Sequence, residues 1–241
     1  MRQDIHNSDI PEVCRSCEAR HRGICGALSV KQLIALNKKT TRKAFDAGTT
    51  LIHEAEPVSV YSNVIRGVVK LSKLLADGRQ QIVGLQFAPD FLGRPLRGDS
   101  QTGADAATGV ELCSFPKTTL EQLMAEAPEL EHRLLEQSLK ELDEARNWMV
   151  TLGRKTAPEK VADFLLMIAL HSDPDVDGRG QKPLIFDLPL SRADIADFLG
   201  LTIETVSRQL TRLRKQGIID IEHNRHVTLH RVDQLRAASG A

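Results

Sequence analysis

The sequence predicts an α+β chain: an N-terminal β-roll of the jelly-roll type, one long helix, and a C-terminal winged helix-turn-helix. Three observations carry that expectation. From Thr40 to about Phe115 the chain is a series of short β-prone runs broken by glycine, at the spacing of a sandwich or barrel. At Thr118 the hydrophobic period changes to that of a helix and keeps it to about Leu152. Within residues 190–216 two short amphipathic stretches meet at Gly200.

Residues 1–27 form an arm carrying three of the four cysteines as Cys14-x2-Cys17-x7-Cys25; the fourth is Cys113. Four thiolates complete a tetrahedral zinc site or an iron–sulfur cluster, and the spacing does not separate the two. Gly23 and Gly26 beside the third cysteine are expected to let a flexible loop wrap the metal, with Cys113 clipping the arm onto the folded body. The competing reading is two reactive surface thiols, an inert buried Cys25 and a core Cys113. His6 and His21 read as solvated arm residues rather than ligands.

Residues 28–118 are the expected β-roll sensor domain. A helix over Leu28–Leu36 opens it, and the strands follow in the runs RKAFDAG, TLIHEAE, VSVYSNVIRG, VVKLSKLLADGRQ, QIVGLQFAPDFLG and, after a glycine-rich loop, TGVELCSFP. Asp77-Gly78 marks a hairpin between two alternating strands.

Residues 119–153 are the expected dimerisation helix, a short piece before Pro128 and then one long run. Leu135, Ser138, Leu142, Ala145, Met149 and Leu152 step by three and four along it. Residues 118–152 carry eight acidic and three basic side chains, yet this seam is nearly free of charge. A narrow uncharged stripe on a solvated helix suits a symmetric contact between two copies, a homodimer. Packing on its own barrel is the alternative.

Residues 154–241 are the expected DNA-binding domain. A helix from Ala157 to about His171 ends in the polar loop SDPDVDGRGQKP. Ser191 caps the first short helix with Asp194 three residues on, and Ile195, Ala196, Phe198 and Leu199 form its apolar face. Thr202 caps the second, whose inner face is expected to be Ile203, Val206, Leu210 and Leu213. That helix has four basic residues and one acid. Glu204, Ser207 and Arg208 near its start are placed to read base edges in the major groove, and Thr211, Arg212 and Lys215 to meet phosphates. The stretch GIIDIEHNRHVTLH reads as a two-stranded wing turning at His223–Arg225.

The 32 basic and 32 acidic residues cancel, so nucleic-acid binding must come from such local clustering. The N-terminus lacks an apolar core and no run of about 18 apolar residues occurs, which predicts a cytoplasmic protein with no membrane partner. In a reducing compartment, clustered cysteines favour ligand roles over disulfides. No Walker loop, G-x-S-x-G elbow or Cys-His pair is present, so no enzyme is expected, and an iron–sulfur redox protein finds no substrate constellation.

In this order of parts the chain resembles the CRP/FNR family of bacterial transcription regulators over nearly its whole length, and Glu204-Thr205-Val206-Ser207-Arg208 matches the FNR branch. The resemblance implies a cyclic-nucleotide-binding-like β-roll, double-stranded promoter DNA with palindromic TTGAT-type half-sites, and Glu204, Ser207 and Arg208 as the base readers. It implies RNA polymerase as a partner, met in part by the hairpin around Asp77-Gly78-Arg79. It further implies one oxygen-labile 4Fe-4S cluster per subunit on Cys14, Cys17, Cys25 and Cys113, with the intact cluster favouring the dimer. The seven-residue gap before Cys25 is similar to that of FnrN- and FnrL-type members. A regulator of the same fold with structural zinc is the alternative. A cyclic nucleotide is not expected: the branch that binds one follows its glycine with Glu and later has an Arg-Ser pair, whereas Arg94 follows Gly93 here and the later stretch reads GADAATG. Ala145 stands where enteric members carry an acid.

Overall fold

The computed structural model describes residues 9–95, 98–175 and 182–240. They divide into two compact units, one of the described residues up to Leu75 with Val83–Asp143, the other of Ala76–Ile82 with the described residues from Glu144.

In the first unit, strands β1 (Thr41–Phe45), β2 (Thr50–Ile52), β3 (Val60–Arg66), β4 (Val68–Leu74), β5 (Gln80–Phe87), β6 (Phe91–Leu92), β7 (Gly103–Ala106) and β8 (Val110–Pro116) form two four-stranded sheets. Their orders are β1-β8-β3-β6 and β2-β7-β4-β5. Strand β7 falls in the stretch expected to be a glycine-rich loop. Its alternation is real, with Ala104 and Ala106 buried, but it is written in residues too small to register as a strand.

Strand period sorts the side chains into two cores. Val64, Val110 and Leu112 face inward, with Val69, Leu92, Ala104 and Ala106. The alternate positions Tyr61 and Phe115 face outward with Phe91, the rings 5.5 Å (Tyr61–Phe91) and 6.3 Å (Phe91–Phe115) apart. That outer face is covered by α1 (Glu12–Arg15), α2 (Glu18–His21), a 3₁₀ turn at Ile24–Ala27, α3 (Val30–Asn37), α4 (Lys117–Glu126) and the start of α5 (Pro128–Arg154). Ile24, Leu28, Leu33, Leu36, Leu120, Leu130 and Leu134 join the aromatic rings in one apolar cluster. Each fully buried side chain of this size contributes about 1.5–3 kcal/mol. Helix α3 begins at Val30 rather than Leu28 because Ser29 caps it, its hydroxyl accepting from the Gln32 N–H while the Gln32 side-chain oxygen accepts from the Ser29 N–H.

The second unit contains α6 (Ala157–Ser172), α7 (Arg192–Leu199), α8 (Ile203–Lys215), α9 (Val232–Ala238) and the sheet β10 (Ile219–Glu222), β11 (His226–Leu229), β9 (Leu184–Asp187), in that order. The wing expected at the C-terminus is present, with His223 and Asn224 turning at positive φ. Strand β9 and helix α9 are additions. The former is four residues between Pro183 and Pro189, with only Leu184 and Phe186 buried to betray it.

Phe198 on α7 is an aromatic hub, 4.5 Å from the Trp148 ring and 5.9 Å from Phe164. Thr151 Oγ1 and Lys155 Nζ both donate to Asp163 Oδ2, at 2.8 and 2.9 Å, fixing the end of α5 to α6. These contacts place residues 144–154 with the C-terminal unit, ten residues earlier than the boundary expected near Arg154. The hairpin tip also groups there: Gln81 Nε2 donates to the Phe198 carbonyl at 3.2 Å. No helix among the described residues is long and apolar enough to cross a membrane.

Candidate functional site

Cys113 lies on β8 between two register partners, Arg42 on β1 and Asn63 on β3, so the three form a row across the outer face of the first sheet. The arm folds over that row. Cys14 sits in the single turn of α1, Cys17 caps α2, and Cys25 lies in the 3₁₀ turn. Arg42 Nη2 donates to the Val13 carbonyl at 2.7 Å, and its Nη1 stands 3.9 Å from Glu111. Asn63 Nδ2 donates to Cys25 Sγ at 3.5 Å.

The arm is not the flexible loop its glycines suggested. A Cβ on Gly23 would stand 3.0 Å from both the Ala19 Cα and the Pro89 carbonyl oxygen, so glycine there permits close packing. Ile10, Ala19 and Ile24 are buried. His21 Nε2 is 2.9 Å from the Arg15 carbonyl and serves the arm's own turn, while His6 lies outside the described residues.

The four sulfurs share one locality, because Cys14, Cys25 and Cys113 each feel the charge of others in the set, Cys17 among them. Burial is the main force raising Cys14 above the ordinary thiol range; Cys17 and Cys113 add repulsion, and Arg42 and Arg20 oppose it. Burial likewise raises Cys113, against the Arg42 charge and hydrogen bonds from Arg42 and Thr40. Cys25 is pushed up to about 12 by burial and then by the other three cysteines, with the Asn63 amide pulling the other way. Cys14, Cys25 and Cys113 therefore hold their protons in the metal-free chain, and any metal bound here would have to displace them. Among the described residues no group of three or more His, Cys, Asp or Glu is arranged to hold a metal ion as it stands. The thiols are gathered without being closed around one.

In the C-terminal unit, Gly200 ends α7 in the left-handed region at φ 60°, and Thr202 caps α8 by accepting from the Thr205 N–H. Glu204, Ser207, Arg208, Thr211, Arg212 and Lys215 are all exposed, while Val206, Gln209, Leu210 and Leu213 are buried. Ile203, expected on the inner face, is 47% exposed at the first residue of α8. Arg214 adds a further exposed cation. Arg208 Nη2 donates to Thr205 Oγ1 at 3.3 Å, and Thr211 Oγ1 donates to the Ser207 carbonyl at 2.9 Å. The Glu204 carboxyl is held below its ordinary range by its own backbone N–H and by the Thr202 hydroxyl. A helix with one buried face and a cationic polar face ending in Arg212, Arg214 and Lys215 suits the major groove of a duplex.

Along α5, Leu135, Leu142 and Met149 are 56%, 44% and 72% exposed, with Ser138 and Ala145 exposed between them and Leu152 partly buried. Leu139, absent from the expected seam, is 52% exposed beside them. Its i+4 spacing from Leu135 was the available signal.

Two family models match the chain, a Crp-like helix-turn-helix domain over residues 159–238 and a cyclic nucleotide-binding domain over residues 42–127. The chain is 53% identical over 234 residues to a probable transcriptional activator of Rhizobium leguminosarum bv. viciae, covering 97% of this chain and 96% of that protein. It is 40% identical over 214 residues to the transcriptional activator protein FnrL of Cereibacter sphaeroides, covering 89% and 86%. Among solved structures, FixK2 from Bradyrhizobium japonicum matches with a TM-score of 0.76 at 31% identity, covering 84% of this chain and 98% of that one.

Proposed function

The chain belongs to the Crp/FNR family of DNA-binding transcription regulators, and from that premise we propose that it is an oxygen-responsive activator. It binds a palindromic TTGAT-type promoter site as a homodimer while Cys14, Cys17, Cys25 and Cys113 hold one 4Fe-4S cluster per subunit. The observation that carries this reading is the gathering of the three arm thiols over the row Arg42–Cys113–Asn63, in the unit whose outer core contains Leu130 and Leu134 of α5.

The donor set fits such a cluster: four soft sulfurs, a guanidinium to balance their charge, and an enclosure that Ile24 and Tyr61 help to build. The bound group supplies an oxygen-labile tie between arm and sheet. The chain supplies the coupling. Ile24 and Leu28 pack into the same cluster as Leu130 and Leu134, so an arm held by four ligands also holds the base of the seam helix. A bias of about 1–3 kcal/mol on the monomer–dimer equilibrium is typical of such coupling and changes promoter occupancy severalfold. The exposed apolar stripe of α5 is the surface the second copy covers.

Arg208, Ser207 and Glu204 read bases, and Thr211, Arg212 and Lys215 meet phosphates. The exposed hairpin Asp77-Gly78-Arg79, locked by an Arg79 Nε to Asp77 Oδ2 bond of 2.8 Å, is offered to RNA polymerase. The β-roll serves as scaffold for the cysteine site rather than as a cyclic-nucleotide receptor. A regulator that works on promoter DNA acts in the cytoplasm.

Structural zinc on the same sulfurs is the second reading, since an all-cysteine set also suits that ion. Purification without oxygen followed by metal and sulfide assay separates them. Brown protein with about four iron and four sulfide per subunit supports the cluster; colourless protein with one zinc overturns it.

A further inference from the structure

Asn63 is out of place on its surroundings alone. It is 1% exposed, on the sheet face that carries Tyr61, Phe91 and Phe115, and it is the register partner of both Cys113 and Phe91. Among the described residues its side chain makes one hydrogen bond, from Nδ2 to Cys25 Sγ at 3.5 Å, and its Oδ1 has no partner. Burying an amide with half its capacity unmet is unfavourable, and a neutral thiol is too weak an acceptor to offset it. A thiolate bound to metal is different. An N–H donated to an anionic sulfur is charge-assisted and roughly twice as strong.

We propose that Asn63 is a positioning residue of the cysteine site, its buried amide N–H donating to the Cys25 sulfur when that sulfur is a metal-bound thiolate. This rests on the cluster reading above. A hydrogen bond to a ligand sulfur withdraws negative charge from the cluster, so it favours the more reduced state and raises the reduction potential. It also fixes the Cys25 sulfur in place, and losing an outer-shell partner of this kind commonly weakens a metal site 10–100-fold.

The test uses the full chain, reconstituted without oxygen with iron and sulfide, in three variants. Asn63→Leu keeps the volume and has no donor. Asn63→Asp keeps the shape and acceptors but has no N–H. Asn63→Ser is smaller and retains an O–H donor. The midpoint potential, the Fe–S(Cys) stretching frequencies and the lifetime of the chromophore in air are measured at matched iron content, beside the melting temperature of the metal-free form. The expected order of both potential and lifetime is wild type, then Ser, then Leu, with Asp lowest, and the Leu variant losing its chromophore about tenfold faster. An order that follows side-chain volume or melting temperature, or a Leu variant with unchanged potential and stretching frequencies, overturns the role of Asn63 and leaves the cluster reading intact. Wild-type protein that takes up no iron and sulfide overturns both.

Discussion

The guanidinium of Arg42 donates a 2.7 Å hydrogen bond to the carbonyl of Val13, the residue before Cys14, while Arg42 itself stands opposite Cys113 in the sheet. One side chain thus ties the turn carrying an arm cysteine to the strand carrying the barrel cysteine. Arg42→Met keeps the stem and removes the tie. Amide exchange at residues 12–17 should accelerate and the arm should become sensitive to limited proteolysis. The β-roll, in which Arg42 is partly exposed, should lose no more than about 1 kcal/mol. Unchanged exchange in the arm would show that this bond does not hold it.

In the proposed reading, the exposed face of α8 divides into base-reading and phosphate-contacting positions. Arg208→Ala should weaken a TTGAT-type half-site by about 1–3 kcal/mol while weakening random duplex less, because a bidentate guanine contact carries sequence information. Arg212→Ala should weaken both alike and reduce the salt slope by about one, as a phosphate contact does. Titrations on cognate and random DNA at several salt concentrations read the difference. Equal loss of specificity in both variants would mean the helix enters the groove in another rotation.

Ala145 is exposed on α5 between Leu142 and Met149. If this face is the seam, Ala145→Asp sets two carboxylates against each other near the two-fold axis, where partial burial weakens screening. Sedimentation of both metal-free proteins at equal concentration should show the variant shifted toward monomer. An unchanged monomer–dimer constant would remove residue 145 from the seam.

The raised Cys25 thiol sets a pH dependence in the metal-free protein. Its folded value of about 12 lies above the ordinary 9.0, so the folded chain holds this proton more tightly than the unfolded one. The stability it contributes is complete below about pH 9 and is lost as pH rises toward 12. Denaturant midpoints measured with reductant between about pH 8 and pH 11 should fall more steeply for wild type than for Cys25→Ala. Parallel curves would contradict the assignment.

Much of this arrangement was legible in the chain. Gly200, Thr202 and the spacing of Val206, Leu210 and Leu213 specify the recognition helix through local rules, and the Ser191–Asp194 capping box is as local. What stayed hidden depends on register. Nothing in the sequence says that Arg42, Cys113 and Asn63 stand side by side, because their separations of 71 and 50 residues close only when β8 pairs with β1 and β3. The arm's glycines read as flexibility because close packing against Ala19 and Pro89 is likewise tertiary. Strand β7 escaped because alanines and glycine carry its alternation.

In the proposed switch, the state of the cysteine site governs DNA binding. The direct measurement is the affinity of protein purified without oxygen for a palindromic TTGAT-type duplex, followed as air is admitted, with iron, sulfide and sedimentation read on the same samples. Affinity should fall about tenfold in step with loss of iron and sulfide and with a shift from dimer toward monomer. Affinity that stays constant while the cluster is lost, or metal-free protein that binds as tightly as the loaded form, would contradict it.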